Sequence, residues 1–127
     1  MELLAPGKIK EQKINKEKKM IYAITSGRLT PGWEGDPWKF AKKYAKYVKE
    51  NYPDTNNELL GNISGAWLAV YWKSKHESLG AFQEFDKKLW EEEGWKSIME
   101  EQGKAEKEKG TIFFNDMETN FYNIEDI

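Results

Sequence analysis

No cysteine occurs anywhere in this sequence, which excludes disulfide bridges and thiolate metal ligands and suits a reducing, cytoplasmic setting. Histidine is almost as scarce: His76 is the single copy, so one side chain alone titrates near neutrality in its ordinary state. A transition-metal site would have to be built from carboxylates, and no carboxylate set has suitable spacing, so neither metal nor other cofactor is expected. No apolar run approaches the roughly 20 residues that a membrane-spanning helix requires. The opening "MELLAPGKIK" lacks the basic-then-apolar order of a secretory signal. With a net charge of −2, the whole chain has no cationic character to draw it to nucleic acid. Arginine is reduced to Arg28, within "TSGRLTPGWEG", a loop that has glycines but no Gly-Lys-Ser/Thr ending and therefore no phosphate-loop pattern.

What the chain does have is aromatic bulk. Six each of Trp, Tyr and Phe in 127 residues, with 39% hydrophobic residues overall, mark one folded domain rather than a disordered chain. The charge is unevenly spread. Residues 1–19 hold six Lys against three Glu, leaving 14 basic and 19 acidic groups for the rest. That lysine-rich N-terminal extension has no aromatic residue to stack on a base and no amphipathic stripe, so it reads as solvated, with Met20 a candidate alternative start. The folded domain is expected over residues 20–127.

Along that domain, "MIYAIT" (20–25) reads as a strand. Asp36 followed by Pro37 is a helix start, and Trp38, Ala41, Tyr44, Ala45 and Val48 recur at helical steps until Pro53 stops the element. "NELLGNIS" and "AWLAVYWKS" form a hairpin about Ser64-Gly65. Ser74 and Glu77 suggest a capping box, with Ser78 as a competing cap. Leu79, Phe82, Phe85, Leu89 and Trp90 then mark a second helix, broken or bent at Gly94 and continued by Trp95, Ile98 and Met99. "EEQGKAEKEKG" reads as a polar connector or a frayed helical turn, and "TIFFNDMETNFYNI" as a last strand interrupted near Glu118–Asn120. The order β-α-β-β-α-β is the ferredoxin-like α+β arrangement, a four-stranded antiparallel sheet with two helices on one face. Alternation places large apolar groups on both faces: Leu68, Val70 and Trp72 against Trp67, Ala69 and Tyr71, with Ile112 and Phe114 against Phe113. Two helices cover one face, so a homodimer is expected to shelter the other.

"IYAITSGRLTPG" and "GNISGAWLAVYWKSKHESLGAFQEF" resemble the first strand with its loop, and the hairpin with the second-helix opening, of the dimeric α+β barrel superfamily. The resemblance implies a dimer with a cavity between sheet and helices, in a group that includes antibiotic-biosynthesis monooxygenases, haem-degrading monooxygenases and stress-induced proteins. Members of the haem-degrading branch carry an Asn before the first-strand Arg, a Trp ending the third strand and an axial His late in the second helix. Arg28 and Trp72 match; Gly27 stands at the Asn position and "WKSIMEE" offers no His, which disfavours haem degradation.

Six residues are candidates for a site. Trp72 can wall an apolar cavity and offer its N–H to a ligand, or simply fill the core. His76, at the mouth of the second helix, is a candidate general base or a half-exposed surface group. Arg28 can fork onto an anionic ligand or pair with a nearby carboxylate. Trp33 is a candidate lid, Tyr22 can reach a cavity from the first strand, and Asn62 belongs to a ligand site or to the hairpin turn. The expected function is binding of a small apolar or aromatic ligand. The alternatives are a cofactor-independent monooxygenase acting on an aromatic substrate, and an interaction module whose lysine-rich extension meets an acidic partner.

Overall fold

The computed structural model describes residues 20–31, 35–65 and 68–127. The N-terminal extension, the candidate lid Trp33 and Trp67 lie outside them. The elements are β1 (Ile21–Leu29), α1 (Gly35–Asn51), a short 3-10 turn (Pro53–Thr55), β2 (Glu58–Gly61), β3 (Ala69–His76), α2 (Leu79–Glu91), α3 (Glu93–Lys109) and β4 (Phe114–Asn123). The strands lie in the order β2-β3-β1-β4 and every neighbouring pair is antiparallel, which is the ferredoxin-like sheet. The helical layer has three rods rather than two, because the second helix is divided at Glu92.

Two features of the sequence explain that division. Tyr47 O–H donates to Glu92 Oε1 at 2.6 Å and Tyr52 O–H donates to its other oxygen, so one carboxylate fastens the α2–α3 joint to the end of α1. Gly94 then lets α3 pass under Tyr47, since a Cβ there would lie 2.5 Å from the ring. The helix breaks at Glu92, in extended conformation, two residues before the glycine that the sequence pointed to. Beyond it, α3 runs straight through the expected polar connector to Lys109 and ends on Gly110 with φ of 70°. The other cap is also reassigned: Ser78 Oγ accepts from the Ala81 N–H at 3.1 Å, while Ser74 is buried within β3.

Ala23, Thr25, Gly27 and Leu29 of β1 share a face with Val70, Trp72 and Ser74 of β3, and this is the face that the helices cover. Val70, Leu29 and Ala41 pack tightly beneath α1, and Phe40, Tyr44 and Phe113 form the adjoining cluster. Phe113 and Phe114 both turn inward, against Phe40 and Trp72, because Phe113 precedes the strand and escapes its alternation; Ile112 is exposed. Among the described residues no element covers the opposite face, and this uncovered face is less greasy than alternation alone predicts. Tyr22, Ile24, Leu60, Tyr71 and Tyr122 lie there, but with Glu58, Lys73, Lys75 and Asn120 in the same rows. Lys73 Nζ sits 4.2 Å from the centre of the Tyr22 ring. The irregularity expected in the last strand falls slightly earlier, opposite Ser26–Arg28, where Asp116 adopts φ of 55°. Met117 fills the space beside Gly27, and a Cβ on Gly27 would meet its sulfur at 2.4 Å.

Candidate functional site

Between the sheet and the pair α2–α3 lies a cavity of about 670 Å³. It exists because the sheet residues beneath α2 are small and polar. Thr25 and Ser74 stand in the rows that, further along the same strands, carry Leu29 and Val70. Trp72 separates the filled part of the layer from the open part. Its indole N–H donates to the Ala41 carbonyl at 3.1 Å, and its ring meets Tyr44 and Phe114 edge-on, with centroids 6.4 and 5.5 Å away. The far wall comes from Phe82, Phe85 and Leu89 of α2 and from Trp95 and Met99 of α3, with Asp86 and Trp90 beside them. Such a lining is predominantly apolar, with a few polar groups, the usual composition of a small-molecule site.

Those polar groups are largely engaged with one another. Thr25 and Thr119 hydroxyls meet at 2.8 Å, and Asn57 Nδ2 donates to the Ala45 carbonyl at 3.1 Å. Tyr44 O–H donates to Gln102 Oε1, and Gln102 in turn donates to Glu106. Burial, with the negative charge of Glu106 second, pushes the Tyr44 phenol well above its usual range. Trp90 donates its indole N–H to Asp86 Oδ1 at 3.2 Å. Trp95, wedged against Tyr44 and Tyr47 at ring separations of 4.8 and 5.8 Å, has a buried indole nitrogen with no hydrogen-bond partner. Glu118 contributes to the rim, but its carboxylate accepts from Asn120 at 2.9 Å. Asn120 sits beside Ile24, so that charge turns toward the uncovered face.

At the strand end of the cavity, Ser74 Oγ lies 2.8 Å from His76 Nε2. Both side chains are buried, and the imidazole is flanked by Phe82 and Phe85 at centroid distances of 5.2 and 5.0 Å. Burial lowers the pKa of His76, keeping the ring neutral. His76 is therefore the interior last residue of β3, reached from the cavity by way of Ser74, and not a half-exposed group at the helix mouth.

Of the other candidates, Trp72 borders the cavity with its N–H already committed, so its contribution is the indole face. Tyr22 and Arg28 lie on the opposite side of the sheet, where Arg28 pairs with Asp116 at 2.8 Å. Asn62 closes the β2–β3 connection: its Nδ2 donates to the Ser64 carbonyl and its Oδ1 accepts from the Ala69 N–H, both at 2.8 Å. Thr25, Ser74, Asp86 and Trp95 are not among the site candidates read from the sequence, where Ser74 suggests a helix cap and Trp95 helix packing. Ser74 follows Trp72 at a two-residue step and shares its face, a signal that was legible; Asp86 sits among alternating polar helix residues and gives none. Among the described residues no group of three or more metal-ligating side chains gathers, and no helix is long and apolar enough to cross a membrane.

No protein-family model matches the chain, and no curated protein matches it. Its fold is similar to that of a crystallised dimeric protein of unknown function with a ferredoxin-like fold, from Bacteroides fragilis NCTC 9343. The TM-score is 0.54 at 12% identity, over 83% of this chain and 96% of that one. At such low identity the likeness bears on the fold alone.

Proposed function

We propose that this protein binds a small, largely apolar aromatic molecule in the cavity between its sheet and the α2–α3 pair. The observation that carries this reading is the cavity itself: about 670 Å³ of space, walled by Trp72, Phe82, Phe85, Trp95 and Phe114. A domain of this size that served only as a packed scaffold would gain from filling it, since lost packing in a void costs about 1 kcal/mol per missing methyl-sized group. The test is ligand-observed NMR of the full chain with indole, naphthalene and simple phenols. Binding is expected, and Met99→Trp, which grows a side chain into the cavity, is expected to abolish it. Equal signals with both proteins would place the probes elsewhere.

The protein acts, in this reading, as a homodimer through its uncovered sheet face. Tyr22, Ile24, Leu60, Tyr71 and Tyr122 supply the apolar contact, and the solved protein of similar fold is itself described as dimeric. Light scattering is expected to report twice the 14.9 kDa chain mass, and Tyr71→Glu to halve it. A mass of one chain at micromolar concentration would end this part of the reading.

The Ser74–His76 pair favours a second reading, a cofactor-independent monooxygenase-type activity on a phenolic substrate. A neutral imidazole relayed through a serine hydroxyl is a suitable proton acceptor for a phenolic O–H. Oxygen uptake with phenols and quinols, lost in His76→Ala, is the expected result; no uptake by the unaltered chain would remove the enzyme from consideration.

A further inference from the structure

Which aromatic molecule the cavity accepts is written in its leftover hydrogen-bonding capacity. The indole and phenol donors on its wall are spent internally: Trp72 on the Ala41 carbonyl, Trp90 on Asp86, Tyr44 on Gln102. The Trp95 nitrogen is closed off from solvent and so from the cavity's accessible surface. No lysine, arginine or histidine is among the described lining residues. An anionic ligand would therefore leave water for a site with little to offer it, a transfer that is strongly unfavourable.

Acceptor capacity, in contrast, is left over. Among the described residues Asp86 receives the Trp90 N–H on Oδ1, and neither a second donor nor a cation meets its carboxylate. Asn57 uses its amide nitrogen and keeps its side-chain oxygen. The same cavity is lined by Trp72, Trp90 and Phe85, rings whose π-electrons attract positive charge, tryptophan most strongly. An uncompensated carboxylate set among aromatic faces is the complement of an organic cation.

We infer that the ligand is a protonated amine on an aromatic or branched apolar body, with its ammonium group at Asp86 beside Trp90 and its body against Trp72 and Phe85. The inference rests on the proposed ligand-binding function and narrows it to one charge class. Three probes of closely matched shape test it by calorimetry on the full chain at neutral pH: 2-phenylethylammonium, neutral 2-phenylethanol and anionic 3-phenylpropanoate. The amine is expected to bind about tenfold more tightly than the alcohol, and the carboxylate more weakly than either. Asp86→Asn, which keeps an acceptor for Trp90, is expected to erase most of the amine's advantage without changing the alcohol. Asp116→Asn, whose carboxylate pairs with Arg28 away from the cavity, is expected to leave all three affinities unchanged. Equal affinity for amine and alcohol, a preference for the carboxylate, or an amine advantage that survives Asp86→Asn overturns the charge assignment while ligand binding stands. Silence from all three probes overturns both. The ratio between probes on the unaltered protein decides the question even where Asp86→Asn fails to fold.

Discussion

Under α1 the sheet is filled to the last atom: Ala41 and Val70 have no exposure, and Phe40 and Phe113 interlock beside them. Four residues along β3 from Val70, the same face carries Ser74, and along β1 Leu29 gives way to Thr25. There the layer meets the sheet only at its margin, through Phe82 and Phe85 on His76 and Phe82 on Phe121, and leaves a cleft between. One interface thus contains two kinds of construction, a dense half beneath α1 that holds the fold and a hollow half beneath α2 that leaves room for another molecule. The lesson is that the void is local and bounded. Trp72, tied to the Ala41 backbone, is the partition between the halves.

The largest expected effect comes from damaging the dense half. Phe113→Ala is expected to cost about 3–5 kcal/mol in denaturant unfolding, whereas Phe85→Ala, which gives up contacts with His76 and Tyr52 but opens onto a space already present, should cost less. Similar losses from the two substitutions would erase the distinction. At the joint between helices, Gly94→Ala is expected to cost about 1–3 kcal/mol, because the new Cβ meets a Tyr47 ring that Glu92 prevents from moving aside. Substituting Tyr47→Ala as well should recover part of that loss.

Acid should then distinguish the strand end of the cavity from the helix joint by pH window. His76 has a lowered pKa through burial, so its neutral form stabilises the fold fully above the ordinary value of 6.5, and that contribution is lost as pH falls below it. Glu92 is lowered by the hydrogen bonds from Tyr47 and then Tyr52, so its contribution is full above 4.5 and disappears only as pH falls through the depressed value. At the alkaline end, Tyr47 and Tyr52 are raised to about 12, Tyr47 chiefly by its bond to Glu92 and Tyr52 chiefly by burial, so their contribution is present below 10.0 and is lost as pH rises toward 12. Unfolding measured across pH should show His76→Gln flattening the slope just below 6.5 while Glu92→Gln flattens the slope below 4.5 and above 10.0. A single slope unaffected by either substitution would contradict the assignment. The smallest effect is expected at Arg28→Gln, where breaking a half-exposed pair with Asp116 should cost under about 1 kcal/mol and leave ligand affinity unchanged.

Much of the fold was legible because punctuation and periodicity agreed. Pro37, the helical steps from Trp38 to Val48, and Pro53 bounded α1 within a residue or two. The tail of α3 was not legible, since "EEQGKAEKEKG" has no apolar stripe to announce a helix. Its order comes from partners distant in sequence: Lys43 on Glu101 at 2.8 Å, Tyr44 on Gln102, and Glu106 accepting the Phe113 N–H at 2.9 Å. The site was half legible for a related reason. Alternation tells which residues of one strand share a face, but the register between strands decides which faces coincide. Here even-numbered residues of β1 pair with odd-numbered residues of β3, which puts Tyr22 and Arg28 across the sheet from Trp72. Nothing in either strand alone carries that parity.

The interruption at Glu92 has a mechanical consequence. The two rods are fastened differently: α3 is moored to α1 by the Lys43 and Tyr44 contacts, while the first turn of α2 is held by the Ser78 cap and by Phe82 on His76 and Phe121. Under the proposed binding role, guests of different girth would be accommodated on the α2 side, with the dense half of the sheet undisturbed.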